Sequence, residues 1–264
     1  MHDTWQDGGA YEHYMGRWSR RLGPEFIRWL DPARQLRWAD LGCGTGALTA
    51  SVLDLADPAG VVAVEPSPGF LQAARARLGD DPRVELRQGS VEKLAGSTYD
   101  VVVAGLVLNF LPDAASAVGT LRDLAPSGTV AAYVWDYQGG IEMIARFWRA
   151  ASRLSGQDLG PREVSRFELC HPDALTELFE LTGLISVETT ALTTSMEFVD
   201  YDDYWTPFLG GSGPAPAYLV SLPTHHRDRL REAVREELAD VMDDRGRISL
   251  PARAWAVRGE VPSV

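Results

Sequence analysis

Short, nearly continuous apolar runs alternate with helix-length amphipathic segments through the first half of the chain. LRWADL (36–41), GVVAVE (60–65), VELRQ (84–88), DVVVAGL (100–106) and TVAAYVW (129–135) read as strands, several too uniformly apolar to keep one wet face. Between them the spacing predicts helices. Thr45 to Leu55 carries Leu48, Val52 and Leu55 on one side; Pro68 to Leu78 stops at Gly79; Asp113 starts a helix as its N-cap and Leu124 ends it before APSG. Strand and helix in strict alternation imply right-handed crossovers and a doubly wound, largely parallel α/β sheet. Such sheets bind ligands beyond the carboxyl ends of their strands, where the strand order reverses.

The second half changes character. Pro172 to Thr182 reads as a helix closed by Gly183, LISVETTALTTSMEF (184–198) as a long β run, and ISLPARAWAVRG (248–259) as a last strand. Residues 199–246 form an insertion between those two strands, with a helix carrying Leu230, Val234, Leu238 and Val241 on one face; at that length it is expected to cover something, as a lid. A second helical cover is expected over 10–30, where Tyr11, Met15, Trp18 and Leu22 form a stripe and Arg17, Arg20 and Arg21 lie off it. One domain with insertions, spanning 1–264, accommodates all of this.

Charge narrows the partners. The chain has 264 residues and a formal net charge of -12, which repels a phosphate backbone, so nucleic acid is not an expected partner. Two cysteines make no disulfide framework, no apolar run is long enough to span a membrane, and MHDTWQDGG lacks a basic n-region ahead of an apolar core. A cytoplasmic protein acting on a small molecule is the expectation; its oligomeric state is not legible.

The candidate chemistry sits in WADLGCGTGALT (38–49). Gly42, Gly44 and Gly46 allow a tight turn after the first strand and bring bare backbone, with Cys43 between, against a ligand. GCGTGA also comes close to the dinucleotide fingerprint, so the glycines alone do not discriminate. Asp40 does: a carboxylate two positions before the first glycine repels a pyrophosphate and attracts an ammonium or sulfonium group. Glu65 ends the second strand nineteen residues after Gly46, where an acid accepts ribose hydroxyls. Ribose and a cationic amino-acid end together describe S-adenosylmethionine.

On these residues the chain resembles the class I S-adenosylmethionine-dependent methyltransferases, of the UbiE/methyltransferase-11 small-molecule type. DLGCGTG (40–46) is similar to their first motif, VVAVEPSP (61–68) to the acidic second-strand motif, RQGSVEKL (87–94) to the adenine loop and YDVVVAGLVLNFLPD (99–113) to the fourth-strand motif. The resemblance implies a Rossmann-like seven-stranded sheet with the last strand antiparallel. It places Asp40 at the methionine ammonium, Glu65 at the ribose, Pro66 and Val91 on either face of the adenine, and Gly105 and Leu106 under the methionine portion, with S-adenosyl-L-homocysteine as product. One position departs from the pattern: the adenine loop usually opens with an aspartate, and here Ser90 stands there. Ser90 or Glu92 substitutes, or backbone and stacking hold the adenine.

The fourth strand lacks the Asn/Asp-Pro-Pro-aromatic turn of base-amine methyltransferases, reading NFLP at 109–112, and Ala104 and Gly105 supply no carboxylate to begin a metal site, so no metal is expected. Methyl transfer needs alignment, water exclusion and sometimes a base. Asn109, Asp136, Tyr137, His225 and His226 are the candidates for the acceptor side; each also fits a cap, a loop acid or a solvated helix start. Tyr11, Tyr14, Trp18, Phe147, Trp148, Tyr204, Trp205 and Phe208 are candidates for an aromatic chamber around the reacting centre, and Arg17 for the methionine carboxylate. Other classes stay open: a cyclase or other non-methylating enzyme using the same pocket, a nicotinamide-dependent oxidoreductase if Asp40 points away from the ligand, and a non-catalytic cofactor-binding protein.

Overall fold

The computed structural model describes residues 15–160, 167–210 and 213–263. Tyr11 and Tyr14 lie outside them, as do the first residues of the expected N-terminal cover. The strands are β1 (Arg37–Leu41), β2 (Gly60–Glu65), β3 (Val84–Gln88), β4 (Val101–Gly105), β5 (Thr129–Trp135), β6 (Ile185–Phe198) and β7 (Ile248–Glu260). They form one seven-stranded sheet in the order β3-β2-β1-β4-β5-β7-β6, parallel from β3 to β5, with β7 antiparallel to both its neighbours.

Period-two alternation divides the apolar side chains of the central strands between two cores. On β5, Ala131, Tyr133 and Trp135 face the core under α1 (Arg17–Leu30) and α2 (Ala47–Leu55), whereas Val130, Ala132 and Val134 face the core under α4 (Ala114–Leu124) and α6 (Pro172–Leu181). This is why TVAAYVW carries no polar face in the sequence. The helix α3 (Pro68–Leu78) begins on Ser67, whose side chain accepts the Phe70 N–H, with Pro68 in the first turn. Helices α1 and α2 approach closely at Gly23, where an added Cβ would lie 2.4 Å from Ser51 Oγ.

The chain moves outward from β1 through β2 to β3, then crosses to β4 on the other side of β1. The crevice at that reversal, above the carboxyl ends of β1 and β4, is the fold's natural ligand position.

Residues 199–246 do lie between β6 and β7. They contain α7 (Tyr201–Trp205), a 3-10 turn (Thr206–Gly210), α8 (Pro214–Ser221) and α9 (Thr224–Glu237). This insertion packs on α5 (Glu142–Ser155). Arg146 bridges Glu142 and Asp240, Arg153 pairs with Glu237 at 2.9 Å, and Phe147 stacks on Phe208 with centroids 4.7 Å apart. Among the described residues no helix is long and apolar enough to cross a membrane.

Candidate functional site

The crevice at the switch point is a cleft of about 280 Å³ whose walls include Asp40, Gly42, Cys43, Gly44, Glu65, Pro66, Gly105 and Leu106. The turn that joins β1 to α2 shapes its floor. Gly42, Gly44 and Gly46 all have positive φ, and Gly46 N–H closes the turn on Cys43 C=O at 2.9 Å. Gly46 itself is the N-cap of α2 and does not line the cleft. Opposite, Leu106 holds a left-handed backbone (φ 60), a strained conformation for a branched apolar residue, fixed by its N–H to Tyr133 C=O at 2.8 Å.

Two carboxylates face this space. Glu65 accepts from the Gly44 N–H at 3.0 Å and from the Ser67 N–H at 2.8 Å, so the end of β2 clamps the glycine turn to the start of α3. Burial raises its carboxyl above the usual range, against those two N–H bonds. Asp40 is 1% exposed. Its Oδ2 accepts from Thr49 Oγ1 at 2.6 Å, and its Oδ1 has no hydrogen-bond partner. Burial, with Glu65 adding repulsion and Thr49 opposing it, pushes Asp40 up to about 7. The same surroundings push the Cys43 thiol upward, so it stays neutral. Among the described residues no Lys, Arg or His lines the cleft. A buried acceptor left unpaired costs free energy, and a cationic donor is what recovers it here.

The walls near the β5 end are aromatic: Tyr133 and Trp135 from the α1-facing side of β5, then Tyr137, with Phe110 from the turn after β4 and Phe70 from α3 nearer Pro66. Trp135 Nε1 is buried without a partner. Thr49, Phe70, Tyr133 and Trp135 were not among the sequence candidates. Their signals are present in the sequence: Ser67-Pro68 marks a helix start that carries Phe70 to the cleft, and the odd positions of β5 share one face.

Several sequence candidates lie elsewhere. Arg17 does not reach the cleft: Nη1 bonds Asp203 Oδ1 at 2.8 Å, and the guanidinium sits 4.1 Å from the Trp18 ring centroid, held between a carboxylate and two aromatic faces. Trp18, Tyr204 and Trp205 are core, not chamber. Trp18 packs on Phe198 at 5.0 Å, and the Tyr204 hydroxyl donates to Met143 C=O at 2.7 Å. Trp148 is likewise buried; it borders a neighbouring hollow of about 400 Å³ with Tyr137, Asp136 and Arg149. Among its described residues the insertion contributes none to the cleft.

Ser90 is exposed and donates to Glu92 Oε2 at 2.6 Å, and neither it nor Val91 lines the cleft. Asn109 sits in the 3-10 turn next to Phe110 and does not line the cleft. His225 and His226 pack on each other at the start of α9, centroids 4.0 Å apart, and neither touches the cleft. Of the acceptor-side candidates, Tyr137 alone lines it, its ring stacked on Phe167 at 4.3 Å.

Asp136 is engaged elsewhere. Its Oδ2 accepts from Arg253 Nε at 2.7 Å and its Oδ1 from the Gln138 N–H at 2.9 Å, which fastens the end of β5 to β7. Both of its oxygens are thus taken up by structural partners. Changing Arg253 to Met, which keeps the apolar stem and strands the Asp136 charge, is expected to cost about 2 kcal/mol of stability. Thermal unfolding checks it: a melting temperature unchanged within a degree would mean that solvent already screens the pair.

Comparison with known proteins gives a consistent picture. The sequence profile described as Methyltransferase domain matches residues 39–131, from β1 into β5. Malonyl-[acyl-carrier protein] O-methyltransferase of Halalkalibacterium halodurans is 33% identical over 121 residues, which is 44% of this chain and 45% of that one, so the match spans under half of each. An uncharacterised methyltransferase of Mycobacterium tuberculosis is 29% identical over 235 residues, 88% of this chain and 83% of that protein. Among solved structures, phosphoethanolamine N-methyltransferase 2 of Haemonchus contortus, in complex with phosphomonomethylethanolamine and S-adenosylhomocysteine, superposes with TM-score 0.55 at 16% identity, covering 97% of this chain and 57% of that one.

Proposed function

We propose that this chain is a class I S-adenosylmethionine-dependent methyltransferase that methylates an oxygen or nitrogen of a small, uncharged, apolar or aromatic acceptor by proximity and alignment, without a metal; the methyltransferase-domain match over residues 39–131 and the similarity to named methyltransferases support this reading. The observation that carries the cofactor half is Asp40 Oδ1, a buried unpaired acceptor at the switch-point cleft. An ammonium group there satisfies it. Glu65 keeps lone pairs for the ribose hydroxyls beyond the two backbone bonds it accepts, and Pro66 and Phe70 offer flat apolar surface for the adenine. A dinucleotide reading needs Asp40 turned away from the ligand, and Asp40 lines the cleft.

When bound, S-adenosylmethionine supplies an electrophilic methyl group. The residues at the β5 end then have to exclude water and fix the acceptor. Tyr133, Trp135, Tyr137 and Phe110 form that wall, and the Trp135 Nε1–H is available to an acceptor oxygen. The relative from Halalkalibacterium halodurans is named for a malonyl carrier, which bears a carboxylate. Two carboxylates and no described cation line the cleft here, a field that disfavours anionic acceptors and supports a neutral one.

The test uses S-adenosylmethionine carrying label on its methyl group, purified protein, and an extract of the source organism separated into macromolecular and small-molecule fractions. Protein-dependent label is expected among neutral small molecules that partition into organic solvent. Label confined to protein or nucleic acid would overturn the acceptor class.

A further inference from the structure

The cleft's central carboxylate does not stand alone. Thr49 is the third residue of α2, nine residues after Asp40 in the chain, and is fully buried. Its hydroxyl donates to Asp40 Oδ2 at 2.6 Å, which leaves Oδ1 as the oxygen without a partner and fixes the plane of the carboxylate between β1 and α2. Because Asp40 is on a central strand and Thr49 on the helix that the glycine turn launches, the bond ties the aim of the carboxylate to the geometry of the turn itself.

We propose that Thr49 is a positioning residue for the cofactor, holding the Asp40 carboxylate so that its unpaired Oδ1 is presented to an ammonium group, and that cofactor affinity therefore depends on the Thr49 hydroxyl. The proposal rests on the cofactor assignment above.

Electrostatics gives the direction. Asp40 faces Glu65 from the end of β2, the neutral Cys43 thiol from the turn, and Thr49 from α2; no Lys, Arg or His among the described residues lines the space to hold it ionised. Burial and Glu65 push its titration up to about 7, and the Thr49 hydroxyl is the largest opposing influence. Removing that hydroxyl moves the titration further upward, and at neutral pH the carboxylate becomes mostly neutral and no longer attracts a cation. A hydrogen bond to a charged group is worth enough to move a titration by about one pH unit or more.

The experiment is calorimetric titration of S-adenosyl-L-homocysteine into the wild-type chain, Thr49→Val and Thr49→Ser from pH 6 to pH 8.5. Wild-type affinity is expected to rise with pH through about 7. Thr49→Val keeps the shape and loses the donor; it is expected to bind about five- to tenfold more weakly at pH 6–7 and to converge on wild type within about twofold at pH 8.5. Thr49→Ser restores the donor and is expected to restore the wild-type curve. Equal binding by Thr49→Val, or a deficit of the same size at every pH, overturns the proposal, the second because it marks a packing defect. Absence of binding by wild type at every pH overturns the cofactor reading and this proposal with it, which separates that failure from one confined to the variant.

Discussion

Asp40→Asn is expected to weaken binding of S-adenosyl-L-homocysteine about a hundredfold at pH 8 while making the ligand-free protein more resistant to heat. Both effects have one cause. In the ligand-free chain Asp40 is buried, has one unpaired oxygen and faces a second carboxylate, so its ionised form is held at a cost that raises its titration to about 7. The unfolded chain ionises this group near 4. The folded state therefore takes up a proton between roughly pH 4 and 7, and the associated stability is present at low pH and lost as pH rises through that window. Asparagine has no charge to lose. The two proteins should melt at similar temperatures near pH 4, and the variant should lead at pH 8. With ligand the order reverses, because truncating one partner of a desolvated charge pair costs about 2–5 kcal/mol. A variant that binds as tightly as wild type at pH 8 would remove Asp40 from the cofactor site.

Gly42→Ala is expected to cost about 3 kcal/mol of stability and more than tenfold in cofactor affinity. Gly42 has φ +66, a conformation that L side chains rarely adopt, and an added Cβ would lie 2.7 Å from Val107 Cγ2. Val107 follows Leu106, the residue already strained in the loop beyond β4. The methyl group thus pushes apart the two loops that form the cleft, adding a steric cost to a conformational one. Gly44→Ala is the control: it too has positive φ (+56), but its Cβ would meet nothing within 4 Å, so about 1 kcal/mol is expected. Combining Gly42→Ala with Val107→Ala should recover part of the loss. Equal effects of Gly42→Ala and Gly44→Ala in thermal and calorimetric measurements would show that the contact with Val107 does not matter.

The strands were legible because two-sided burial writes itself into the sequence: a run such as TVAAYVW has no face left for water, and β5 occupies those seven residues. The glycine turn, Asp40 and Glu65 were legible because a positive-φ turn and the ends of β1 and β2 have local signatures. What failed was everything decided by a distant partner. Arg17 is committed to Asp203, 186 residues away, and Asp136 to Arg253, 117 away, and no local pattern announces either pairing. The aromatic residues fail for a different reason. Hydrophobic periodicity says that Trp18, Trp148, Tyr204 and Trp205 are buried, and burial in a core and burial against a ligand give the same spacing. The long insertion illustrates the point: its aromatic side chains bury themselves against α5, and its length alone carried no information about which surface it covers.

The central claim is that the buried, unpaired oxygen of Asp40 recognises the ammonium end of S-adenosylmethionine. It is tested most directly by a four-way titration at pH 8, with S-adenosyl-L-homocysteine and its analogue lacking the α-amino group, each against wild type and Asp40→Asn. The account predicts that wild type prefers the amino-bearing ligand by about a hundredfold and that Asp40→Asn binds the two alike, the coupling vanishing with either partner. Equal affinity of wild type for both ligands, or a preference that survives in Asp40→Asn, would contradict it.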